Sequence, residues 1–116
     1  MVSISGSGVH TRPPFDRAHL STFTSGDMAL ERDILEHFCT NAQVHIDNLI
    51  AAIGTAKWNE NAHRLKGAAS GVGMLVMAKL CAQAETLEFQ NVDVARQIIA
   101  AIQAELSALI DYLHGN

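Results

Sequence analysis

From residue 28 onward, apolar side chains recur every three or four positions with little interruption. Leu35, Phe38, Ala42, Ile46, Leu49 and Ile53 form one such series, the spacing that gathers side chains on one face of an α-helix. The pattern predicts a helix from about Met28 to Ile53, with Asp27 as its N-cap and Gly54 just past its end. Thr55 is placed to cap another helix over roughly Ala56 to Val72, and Gly73 to end it in a tight reversal. A fourth helix is expected from about Met74 to Gln90, with Met77, Leu80, Ala84 and Leu87 on its apolar face. Asn91 closes that helix and Asp93 caps the last, whose buried side is Ile98, Ile102, Leu106, Leu109 and Leu113. Ahead of these, Asp16 can cap a short helix from Arg17 to about Phe23, with Leu20 and Phe23 on one face. Thr24-Ser25-Gly26-Asp27 then reads as a turn.

Short connections between long amphipathic helices force neighbours to run antiparallel. The expected fold is all-α: an antiparallel up-down-up-down four-helix bundle with a short additional N-terminal helix. No alternating β-branched run suggests a strand, and no internal repeat is visible. Residues 1–14 carry Ser5-Gly6-Ser7-Gly8 and then Pro13-Pro14, the composition of a flexible tail ending in a stiff break. Residues 15–116 are left as one domain.

Composition narrows the class. With 116 residues, 48% of them hydrophobic, the chain can build one core and is too apolar to stay disordered. Aromatic residues are few, so the core must be mostly Leu, Ile, Val, Met and Ala. Cys39 and Cys81 lack the spacing of a zinc site or a disulfide scaffold; two buried thiols in a reducing compartment are expected. No amino-terminal run resembles a signal peptide and no apolar stretch reaches membrane-spanning length, so a cytoplasmic protein without a membrane partner is expected. A formal net charge of −4 argues against nucleic acid as a partner. Yet from Lys57 to Gln83 the charged residues are Lys57, Arg64, Lys66 and Lys79 against Glu60 alone. A basic stretch in an acidic chain suggests a docking face for an anionic protein surface or a phosphate; chance clustering of solvated lysines is the plain alternative.

The third helix carries the candidate chemistry. With Leu65 at zero on a helical wheel and an advance of about 100° per residue, Trp58, Ala62, Ala69 and Val72 fall within about 60° of it. His63 falls near 160°, about as far from the core as a residue can be. Gly67 and Gly71 lie beside it, each costing about 1 kcal/mol relative to alanine inside a helix. A strip stripped of side chains lets another protein approach the imidazole closely. Arg64 and Lys66 flank that strip and can offer cations to phosphoryl oxygens or to acidic partner residues. Glu60, one turn before His63, can accept a hydrogen bond from the ring or stand as a solvated acid, the simpler reading. Ser70 can orient a phosphoryl oxygen or be a plain surface hydroxyl, again the simpler reading.

Rival chemistries fare worse. Glu60-Asn61-Ala62-His63 has the Glu-x-x-His form used by di-iron bundles, but no second such pair exists and both residues point away from the core. His10, His19, His37, His45 and His114 show no ligand spacing with either cysteine, and His45 reads as a boundary residue. Gly6 and Gly8 lack the lysine and strand context of a phosphate loop.

The run from His63 through Leu65, Lys66, Gly67, Ala68, Ala69, Ser70 and Gly71 to Gly73, followed by Leu75, Leu80, Cys81 and Glu85, resembles the histidine-containing phosphotransfer domain. That resemblance implies a domain over residues 15–116 without an ATP site or cofactor of its own, hence no autonomous kinase activity. It implies a phosphorelay intermediate that accepts a phosphoryl group on His63 from a receiver-domain aspartyl phosphate and passes it reversibly to another receiver. By the same resemblance Lys66 corresponds to the family's lysine near the histidine, and Gly67 to the glycine beneath it. Implied partners are response-regulator receiver domains and a hybrid histidine kinase, with Mg²⁺ carried by the receiver. The alternative is a helical adaptor that docks such domains without being phosphorylated. A single bundle buries its stripes unaided, so a monomer is expected.

Overall fold

The computed structural model describes residues 13–115; the expected flexible tail and His10 fall, apart from Pro13 and Pro14, outside them. Five helices follow in order: α1 (Arg17–Thr24), α2 (Met28–Ala51), α3 (Trp58–Gly71), α4 (Leu75–Thr86) and α5 (Val92–His114).

The capping signals explain most boundaries. Asp16 accepts from the backbone N–H groups of Ala18 and His19 and starts α1. Asp27 accepts from Leu30 N–H and starts α2. Thr55, expected to cap α3, instead accepts from Lys57 N–H in the preceding turn; α3 begins at Trp58, with Lys57 at the N-cap position and no side-chain cap. Gly54 and Gly73 take φ of +78° and +80°, the left-handed region that reverses the chain after α2 and α3. At Gly73 a side chain would also press on the backbone of Asp16, whose N–H donates to the Gly73 carbonyl at 2.8 Å.

Several expectations about helix faces and ends are corrected. Phe23 does not share the buried face of α1; it is 62% exposed, and Thr24 is buried in its place, its hydroxyl donating to Glu31. The buried line of α4 is Met77, Cys81 and Ala84, with Leu80 only half-buried. Helix α4 also ends at Thr86 rather than Gln90, and Leu87 is extended at φ −74°, ψ 139°. The cause is tertiary: Trp58 Nε1 donates to the Ala84 carbonyl at 2.7 Å, and Asn59 Nδ2 donates to the carbonyls of Glu85 and Leu87. These donors satisfy the last turn from outside the helix, so it needs no further turn of its own. As a result Asn91, not Asp93, holds the N-cap position of α5, and Asp93 lies in the first turn, where its charge suits the positive end of the helix dipole.

Helix α2 packs on α3, α3 on α4, α4 on α5, and α5 closes back on α2. This ring of sequence neighbours is the antiparallel four-helix bundle, with α1 laid against α2. At its centre Trp58, Leu65, Ile46, Leu49, Met74, Met77, Ile102 and Leu109 are fully buried. Arg17 fastens α1 by reaching Glu31 on α2 and the Tyr112 hydroxyl on α5. Among the described residues, no helix is long and apolar enough to cross a membrane.

Candidate functional site

Helix α3 buries Trp58, Ala62, Leu65 and Ala69, which turns its other side outward. His63 stands on that side with its side chain 66% exposed. Helix α1 reaches the far end of the same face, where His19 Nε2 donates to the Gly71 carbonyl at 3.3 Å, but it does not cover His63.

The ring is held from across the helix pair. Nδ1 of His63 lies 2.7 Å from Oε2 of Glu85 on α4, and the other oxygen of Glu85 lies 2.6 Å from Nζ of Lys66. The hydrogen bond from Lys66, and then that from His63, hold the Glu85 carboxyl below its ordinary value. An ionised carboxylate can only accept, so Nδ1 must carry the proton in this bond. In the neutral ring the lone pair then belongs to Nε2.

Around the ring the surface is bare. Beyond the adjoining residues and the helix's own backbone, no described atom lies within 4 Å of the side chain that Gly67 or Gly71 would carry as alanine. Both glycines have ordinary helical backbone, so neither conformation nor internal packing calls for them. Ser70 is exposed one turn beyond Lys66.

The remaining site candidates are rearranged. Glu60 does not touch His63; it pairs with Arg64 at 2.6 Å along α3. Lys66 is committed to Glu85 rather than standing free. Of the four basic residues between Lys57 and Gln83, two are thus paired in the folded protein, Arg64 with Glu60 and Lys66 with Glu85 just beyond the stretch. Glu85 had no role assigned from composition or spacing, because it is 22 residues from His63 and meets it only through the register of α3 and α4. His45 is half-buried on α2, a boundary residue as its spacing suggested, and His37 bonds to Asn41.

Residues 33–112 match the Hpt domain family, from the first turns of α2 to near the end of α5. The chain belongs to the Hpt domain family. Compared with curated proteins and with solved structures, it matches none. Hpt domains serve phosphorelays as phosphotransfer carriers that interact with receiver and kinase domains.

Proposed function

We propose that this Hpt domain accepts a phosphoryl group on Nε2 of His63 from the aspartyl phosphate of a receiver domain and returns it to the same or another receiver. One observation carries the reading: an exposed imidazole whose inner nitrogen is hydrogen-bonded to the Glu85 carboxylate, so that in the neutral ring the lone pair belongs to the outer nitrogen. In the forward step the Nε2 lone pair forms the N–P bond while the P–O bond to the receiver aspartate breaks, and the carboxylate leaves with that electron pair. The Nδ1 proton stays in place. The ring becomes cationic as the bond forms, and Glu85 lies against the nitrogen that shares this charge. Reversal restores the acyl phosphate and the neutral ring. Lys66 keeps Glu85 ionised and aimed, while Gly67 and Gly71 leave room for the receiver to bring phosphorus into line. The receiver contributes its own Mg²⁺ and most of the charge neutralisation at phosphorus.

The test is phosphoryl transfer from a phosphorylated receiver, followed by the chemistry of the label. Wild-type protein should acquire phosphate that is labile in acid and stable in base, and His63→Gln should acquire none. Labelling that persists in His63→Gln, or a wild-type protein that binds receivers yet stays unlabelled across a broad panel, would establish the adaptor reading instead.

A further inference from the structure

Glu85 can hold the His63 ring only if α3 and α4 keep one register, and the structure shows what sets it at that end. The last carbonyls of α4 are the groups a helix leaves without internal partners. Here two of them, Ala84 and Glu85, and the carbonyl of Leu87 just past the helix are taken by two consecutive residues at the start of α3. Trp58 Nε1 donates to Ala84, and the two amide hydrogens of Asn59 go to Glu85 at 2.6 Å and Leu87 at 2.9 Å. Both Asn59 partners are carbonyls, so only the NH₂ group fits and the amide orientation is fixed by chemistry. Asn59 is also one turn ahead of His63 on α3. It therefore grips the backbone of the residue whose carboxylate grips His63, closing a loop: Asn59 to the Glu85 carbonyl, the Glu85 carboxylate to His63 Nδ1, and α3 back to Asn59.

We infer that Asn59 is a positioning residue for phosphoryl transfer, acting through Glu85 to keep the His63 proton on Nδ1 and the lone pair on Nε2. The inference rests on the proposed role of His63 and Glu85. Asn59 touches no reacting atom. Its contribution is to stop the end of α4 from sliding or fraying away from α3, because a shift of an ångström would break a 2.7 Å bond. Trp58 shares the clamp but fills the core as well, so its removal would confuse packing with positioning.

The experiment uses the full chain and a phosphorylated receiver domain as donor, with three readouts: transfer rate, the ¹⁵N signature of the His63 tautomer, and thermal melting. Asn59→Ala should slow transfer by about tenfold, the scale of a small misplacement of a reacting group, and move His63 toward the Nε2–H tautomer. Asn59→Asp keeps the shape but turns a carboxylate toward two carbonyls, and should be at least as slow. The decisive comparison is with Glu85→Ala, which removes the carboxylate while leaving the backbone carbonyl that Asn59 holds. In that background Asn59→Ala should slow transfer no further, since its route to His63 is gone. Equal slowing by Asn59→Ala with and without the Glu85 carboxylate, or an unchanged His63 tautomer, would reduce Asn59 to a structural residue and overturn the inference. If Asn59→Ala fails to fold, Asn59→Gln carries the same comparison, because it keeps both donors but displaces them by one methylene. Glu85→Ala with wild-type transfer and tautomer would instead sink the assigned role of Glu85, and this inference with it.

Discussion

The carboxyl of Glu85 loses its proton more readily in the folded protein than in the unfolded chain, chiefly because Lys66 donates to it and secondarily because His63 does. A carboxyl lowered in this way stabilises the fold fully at pH above its unfolded value, near 4.5 here. That stabilisation is lost as the pH falls through the lowered native value, where the folded form too takes up the proton. Glu85→Gln keeps the shape and has no such titration. Its melting temperature should therefore lie below that of wild type at pH 7, with the gap narrowing as the pH is brought below 4.5. Paired melts across that range measure it directly. A gap that stays constant would mean the Lys66 and His63 bonds contribute nothing that depends on ionisation.

At the scale of a helix, α3 is built against its own stability. Gly67 is solvent-facing, has ordinary helical dihedrals, and has nothing beyond the adjoining residues and the helix's own backbone within 4 Å of where a β-carbon would be, so its substitution should help the helix form. Gly67→Ala should stabilise the bundle by roughly 0.5–1 kcal/mol, which for a domain of this size raises the melting temperature by about 4 °C. The same methyl should slow transfer, because it stands where a receiver must approach His63. A stabilised variant with undiminished transfer would remove the close-approach argument, and a destabilised one would show that Gly67 serves packing after all. The helices themselves were legible because stripe spacing and caps such as Asp16 and Asp27 act within a few residues along the chain. The outward direction of His63 followed from that same local geometry. What could not be read was the pairing of individual side chains between helices. The end of α4 depends on Trp58 and Asn59, 26 and 28 residues from the carbonyls they cap. Nearness along the chain offered only Glu60 as a partner for His63, with a solvated acid the simpler reading, whereas packing brought up Glu85 and left Glu60 to Arg64.

For the whole molecule, a rigid interior supports a surface that is deliberately empty, and the two cysteines offer a way to watch the connection between them. Cys81 is fully buried on α4, one turn before Glu85, and burial pushes its thiol up to about 12. Cys39, half-buried on α2, is raised as well, by burial and then by Glu36. Thiolate is the species that alkylating reagents attack, and a buried thiol meets neither the reagent nor the water it needs to ionise. Cys81 should thus react only through openings that separate α4 from the core, while Cys39 reacts through smaller local motions. Under native conditions iodoacetamide should modify Cys39 well before Cys81, and the Cys81 rate should climb with urea in step with global unfolding. Because α4 also carries Glu85, any opening that frees Cys81 without unfolding the bundle would release the His63 ring too. A Cys81 rate as fast as that of Cys39 in the absence of denaturant would mean that α4 detaches on its own, and a ring held by Glu85 would then be only an intermittent state of this protein.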